Sequence, residues 1–246
     1  ERVGLREGLN AVRDNRPLRH LLAAFLAFNM PGNLAAGVSY FYIDTYLGLS
    51  ESYSAIMMVT LLATFLGVPF WTAMSARYER HRVWAVSLVV CAAGYSSIAL
   101  LTPGALALPL IFVLFPASAF CLIGSVVVLT MVADIVDYGR LQTGRDQGGL
   151  YAAMISFLQK SLLSVATAAG VMLVDYFGFD ATAKVQTAGG VFGIKLVCAI
   201  FPALGLVGAA LIIWNYPLTR ARTAEIQKLL AERVAGTRPL VLLRHL

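Results

Sequence analysis

Lys160 stands ten residues into an apolar run that extends from residue 150 to 177. At about 1.5 Å per residue, that places its ammonium about 15 Å inward, half of a roughly 30 Å hydrocarbon core. A charge at that depth costs about 2.5–3.5 kcal/mol on insertion scales, so it is kept where it faces a cavity, a partner charge or a substrate. Ser156, Ser164 and Thr167 share the lysine's helical face, and Gln159 flanks it. The chemistry open to this set is polar binding.

A second polar stripe runs through the first apolar segment. Asn29, Asn33, Gly37, Tyr40 and Asp44 follow one another at spacings of four, four, three and four, which puts them on one helical face. Two readings stand side by side: the stripe looks into a cavity, or its asparagines hydrogen-bond between helices. Pro31-Gly32 lies within it, and a missing backbone donor beside a glycine predicts a kink or short unwinding there.

The third set is acidic. Asp134 and Asp137 are three residues apart, on one face, where they can meet arginines of neighbouring inner connections. Asp134 is 26 residues beyond Leu108, about 39 Å of helix, so the pair belongs near the membrane boundary. Arg77, Arg80 and Arg82 occupy the preceding inner connection. They either only hold topology or latch the inner face closed. His81 among them is expected to face solvent. Lys195, five residues into the last apolar run, can snorkel to the outer surface.

No P-loop, His/Glu metal constellation or Gly-x-Ser-x-Gly nucleophile occurs. Cys91, Cys121 and Cys198 lie in apolar segments without metal or disulfide spacing, as small buried hydrophobes do. The expectation is no catalytic residue, no metal site and no enzyme.

The elements that must position these groups are membrane helices. Of the 246 residues, 59% are hydrophobic and 13% charged, against about 25% charged in soluble domains. Six apolar runs cover 18–42, 53–74, 83–101, 106–136, 150–177 and 190–216, each long enough for a tilted helix. The expected fold is all-α, with six transmembrane helices in one bundle. Residues 1–17 lead into the first span, 18–216 form the bundle, and 217–246 form an amphipathic tail. In that tail Ile226, Leu229, Leu230 and Val234 recur at helical spacing, predicting a helix lying on the inner leaflet.

The net charge of +6 is a topology signal. Sixteen of the nineteen basic residues fall before the first span, in the second and fourth connections, or in the tail. The positive-inside rule therefore places both termini in the cytoplasm of a multi-pass inner-membrane protein. Nucleic acid is excluded as a partner; the lipid bilayer is one. The chain opens on Glu1, with charged residues before its first span. That pattern is not a signal peptide and suggests a fragment or a processed chain.

The string Ala133-Asp134-Ile135-Val136-Asp137-Tyr138-Gly139, then Gln142-Thr143-Gly144, Gly149-Leu150-Tyr151 and Ser156-Phe157-Leu158-Gln159-Lys160, carries a family pattern. It resembles the glycoside–pentoside–hexuronide:cation symporters, the melibiose-carrier-like branch of the major facilitator superfamily. Asn15-Arg16-Pro17-Leu18 and Tyr216-Pro217-Leu218 resemble it as well. The likeness covers essentially the whole chain and matches the C-terminal six-helix half of a twelve-helix carrier. It implies cation-coupled symport of a sugar, glycoside or uronate by alternating access. It also implies a coupling Na⁺ or H⁺ whose main ligands lie in an N-terminal six-helix half, of the same protein or a partner chain.

On that reading Lys160 centres the substrate site, lined by Asn29, Asn33, Tyr40, Ser156 and Gln159. Asp134, Asp137, Arg77 and Arg145 form the inner gate. The chain departs from the pattern in two places. Arg140 follows Asp-Tyr-Gly where an acidic residue is commoner, and Asp146-Gln147-Gly148 lacks the usual glutamate. A lysolipid or amphiphile symporter is the alternative carrier. A non-transporting membrane module is the alternative of a different class.

Overall fold

The computed structural model describes residues 12–13, 15–144, 146–183 and 185–234. Six segments among them are long and apolar enough to cross a membrane: Arg16–Tyr46, Ser50–Arg77, Arg80–Ala99, Ala107–Thr143, Gly148–Tyr176 and Ala188–Trp214. Each overlaps a run expected from hydropathy, with ends shifted by a few residues.

Helix α1, Arg16–Phe41, starts where the sequence supplies a stop for the backbone. Asn15 Oδ1 accepts the Leu18 N–H at 3.0 Å, and Pro17 in the first turn needs no donor. The same Asn15 amide donates to Tyr151 Oη at 3.3 Å, tying the helix start to a distant span. Asn15→Ala is expected to cost about 1 kcal/mol through the lost cap, read as a lower thermal-unfolding midpoint of the purified protein.

The unwinding expected at Pro31 does not occur there; α1 runs through it. Proline removes the N–H that Ala27 O would accept, and Gly205 of the sixth span closes over the gap. A Cβ on Gly205 would lie 2.5 Å from Ala27 O and 2.4 Å from Pro31 Cγ. The irregularity sits farther on, as a π turn over Tyr42–Tyr46.

The chain continues with α2 (Tyr53–Arg77), α3 (Arg80–Ala99) and α4 (Ala107–Leu122), then a 3₁₀ turn at Ile123–Val126 and α5 (Val127–Thr143). Pro109 and Pro116, which could interrupt the fourth apolar run, lie inside α4; the break in that span is the 3₁₀ turn. Next come α6 (Gly148–Tyr176) and α7 (Ala188–Lys195), a second π turn at Leu196–Ile200, α8 (Phe201–Trp214) and α9 (Arg220–Val234). Helix α1 packs on α6 and α8, α3 on α8 and α4, and α2 on α4.

The interior is divided in two. At the end carrying Asn15 and the tail, Leu18, Trp84, Ile135, Tyr151, Ile213 and Ile226 belong to one buried cluster. At the far end Tyr42, Ile43, Ile56, Ile98, Ile111 and Val197 form another. Helices α2 and α6 are the least enclosed, with 17% of their most apolar windows buried. They carry exposed Phe65, Leu66, Phe157 and Val165, which only lipid or another apolar bundle can cover.

The tail departs from expectation. Helix α9 packs on α5, and Ile226 is buried within the terminal-end core. Ile226 is thus covered by protein, where the spacing alone suggested lipid, and Leu229 and Leu230 are half-buried.

Candidate functional site

A cavity of about 340 Å³ opens in the bundle, walled by α1, α3, α4 and the α7–α8 seam. Its lining draws on both cores: Phe28, Leu122 and Leu206 from one, Tyr42, Ile98 and Cys198 from the other. Asn29 and Asn33 are the amides on this wall. Each spends an Nδ2 hydrogen on its own helix, donating to Phe25 O and to Asn29 O, both at 2.9 Å. No donor among the described residues meets either Oδ1. Tyr42 Oη donates to Ile98 O at 2.6 Å. The cavity therefore offers amide oxygens between the aromatic rings of Phe28, Tyr42, Tyr95 and Phe115, with no charged side chain on its wall. Aromatic surface with a few fixed polar groups is the usual make-up of a small-molecule site.

The polar stripe of α1 divides between two jobs. Asn29 and Asn33 line the cavity, while Gly37 meets α6. A Cβ on Gly37 would sit 2.6 Å from Thr167 O, and one on Gly170 would sit 2.3 Å from Leu34 O. The cross-helix hydrogen bond here comes from Thr167 Oγ1 to Asn33 O at 3.3 Å; it does not come from an asparagine side chain. Tyr40 leaves the cavity, 48% exposed, with its ring edge-on to Tyr53 at 5.0 Å.

Ser156, Gln159 and Lys160 are exposed on α6 and do not line the cavity. Lys160 is seven residues before Thr167, about 10 Å of helix. It therefore lies near the depth of Asn29, across the α1–α6 seam. Of the six residues read as one lining, the structure brings Asn29 and Asn33 together. It leaves the lysine face apart, turned away from the bundle. Lys195 reaches the far end, its Nζ 5.6 Å from the Tyr46 ring centroid.

The charged cluster lies at the terminal end. Arg80 Nη1 pairs with Asp134 Oδ2; the side chains are 35% and 11% exposed. The arginine that meets Asp134 is Arg80; Arg77, expected beside it, does not. Arg77 ends α2, exposed, with no ion pair among the described residues. Asp137 meets the Gln227 amide at 3.5 Å in place of an arginine. Arg145 lies outside the described residues.

His81 also corrects its reading. It is 4% exposed, its ring 6.0 Å from that of Tyr216 and its Nδ1 3.9 Å from Glu79 Oε2. Being in the first turn of α3, it faces the point where the last span ends. Asp134→Ala should lower stability by about 1–3 kcal/mol, because Arg80 loses its partner but keeps partial access to water. Denaturant unfolding of the wild-type and D134A proteins measures the difference.

Glu79 caps the start of α9, and Arg220 caps the end of α2. Glu79 Oε2 accepts the Arg220 N–H at 3.1 Å, at the start of α9. The Arg220 guanidinium donates to Ala76 O at 2.9 Å and to Ser75 O, in the last turn of α2. Both contacts satisfy backbone groups that helix ends leave unpaired.

A family profile described as MFS/sugar transport protein matches residues 1–220. The chain belongs to this family. It is therefore a multi-pass membrane protein of a transporter family. Among its relatives is an uncharacterized symporter of Synechocystis, 23% identical over 95% of this chain and 44% of the relative. The glucuronide carrier protein homolog of Escherichia coli is 26% identical over 89% of this chain and 48% of its own length. The sodium-dependent lysophosphatidylcholine symporter 1-A of Danio rerio is 22% identical over 90% and 42%. The chain spans about half the length of these relatives.

Sequence reasoning missed the cavity wall supplied by Tyr95, Phe115, Cys198 and Pro202, and the Glu79–Arg220 exchange. The wall residues are single positions without a common period, so no spacing announces them. A trace of the exchange exists: Glu79 is the one acid in the second connection, and Arg220 opens the tail helix.

Proposed function

We propose that this chain is the C-terminal six-helix half of a cation-coupled symporter for a neutral or anionic sugar compound. The cavity at mid-bundle carries the reading: free amide oxygens suit hydroxyl donors, and aromatic walls suit the C–H faces of a sugar ring. Lys160, on the open face at similar depth, adds a cation for a uronate or for carboxylates of the other half. The α2 and α6 surfaces left open are where lipid and an N-terminal six-helix bundle would lie, with alternating access between the bundles. The main ligands of the coupling Na⁺ or H⁺ belong to that other half. Both termini of this chain would face the cytoplasm of the inner membrane, following the distribution of arginine.

The largely apolar cavity wall favours one second reading, an amphiphile as cargo. The complete protein in proteoliposomes, given Na⁺ or H⁺ gradients, tests both. Gradient-dependent uptake of labelled glycosides or uronates, competed by sugars, is the expected result. Competition by lysophosphatidylcholine but not by sugars would replace it with the second reading, and no gradient-driven uptake of either would overturn the symporter.

A further inference from the structure

At the terminal end, Glu79, His81, Asp134, Tyr216, Arg220 and Thr223 enclose a space of about 10 Å³, close to what a single water requires. Two polar atoms of the residues that line it, Tyr216 Oη and Arg220 Nε, are buried without a hydrogen-bond partner among the described residues. Tyr216 itself is 4% exposed. Burial pushes its phenol up and the Asp134 carboxylate adds to this, so the phenol keeps its proton and is a donor. Arg220 Nε–H is a donor too. Two buried donors with nothing to receive them are expensive, and the carboxylates of Glu79 and Asp134 stand on the same wall.

We propose that this space is an internal hydration site, one water accepting from Tyr216 Oη and Arg220 Nε and donating to the Asp134 carboxylate. The wall chemistry selects water over an ion. Arg80 and Arg220 repel a cation, Glu79 and Asp134 repel an anion, and only a neutral molecule with both lone pairs and hydrogens satisfies all sides. Asp134 would then be held from two directions, directly by Arg80 and through the water by the start of α9. The tail helix is thereby joined to the carboxylate that the family pattern places at the inner gate. The hydration site itself does not depend on the transported substrate.

X-ray radiolytic footprinting of the complete protein in nanodiscs tests it, because a bound water is split in place and oxidises the side chain beside it. Tyr216 should be oxidised several-fold faster than Tyr151, which is also buried but already bonded to Asn15 and Gln147. Equal rates at the two tyrosines would overturn the site. The connection to the tail is read separately: Tyr216→Phe should raise maleimide labelling of an Ile226→Cys background by roughly 2- to 10-fold, the worth of one hydrogen bond. Unchanged labelling beside a fast wild-type Tyr216 would keep the water and overturn its hold on α9.

Discussion

Gradient-driven accumulation is expected to fall by roughly 10- to 150-fold when Lys160 becomes alanine in the complete protein, the scale of one lost charge-assisted contact. The direction of the insertion effect makes this informative. Removing an ammonium from mid-bilayer relieves about 2.5–3.5 kcal/mol of transfer cost, so K160A should insert and accumulate in the membrane at least as well as wild type. A transport defect then belongs to the site and not to biogenesis. Lys195→Ala is the control: that lysine sits over Tyr46 at the far end and should change uptake little. Normal accumulation by K160A would remove the lysine from the mechanism.

Gly170→Val should be the most destabilising single change in the bundle. At the α1–α6 seam the two backbones touch, and the first added carbon would meet Leu34 O at 2.3 Å. A carbonyl cannot rotate aside as a side-chain tip can, so the helices must separate. Overpacking of this kind costs about 1–3 kcal/mol and often more for a branched residue. The unfolding midpoint in detergent should drop accordingly, and Gly170→Ala should fall between it and wild type. Gly208→Ala serves as the contrast, since nothing lies within 4 Å of the carbon it would add. An interior helical glycine replaced at no steric cost stabilises by about 0.5–1 kcal/mol. If G170V unfolds at the wild-type midpoint, the seam is not as close as the geometry requires.

The spans were legible because apolar length is an additive property of sequence, insensitive to which helix packs on which. Partnerships were less so. Arg77 and Arg80 look interchangeable in the chain, yet Tyr78 and Glu79 end α2 and begin α3. The two arginines therefore sit on different helices, and only Arg80 reaches Asp134. His81 was read as solvated from its charged neighbours; in the first turn of a helix that opposes Tyr216, it is buried. Pro31 was expected to kink or briefly unwind α1; the helix runs through it, packed against Gly205, 174 residues away, a neighbour that no local rule contains. Asn29 and Asn33 were legible as a polar pair on one face. Their partners across the cavity come one or two at a time from α3, α4, the second π turn and α8, so the cavity is a property of the packing.

The divided interior has an evolutionary consequence. Each end of the bundle has its own core, and the 340 Å³ cavity borders both. Wall residues that belong to neither core, such as Asn29, Asn33 and Ser39, can be exchanged without emptying either one, so on the proposed function selectivity can drift while foldability is retained. A family whose relatives carry names as different as glucuronide carrier and lysophosphatidylcholine symporter is what an architecture with a replaceable middle allows.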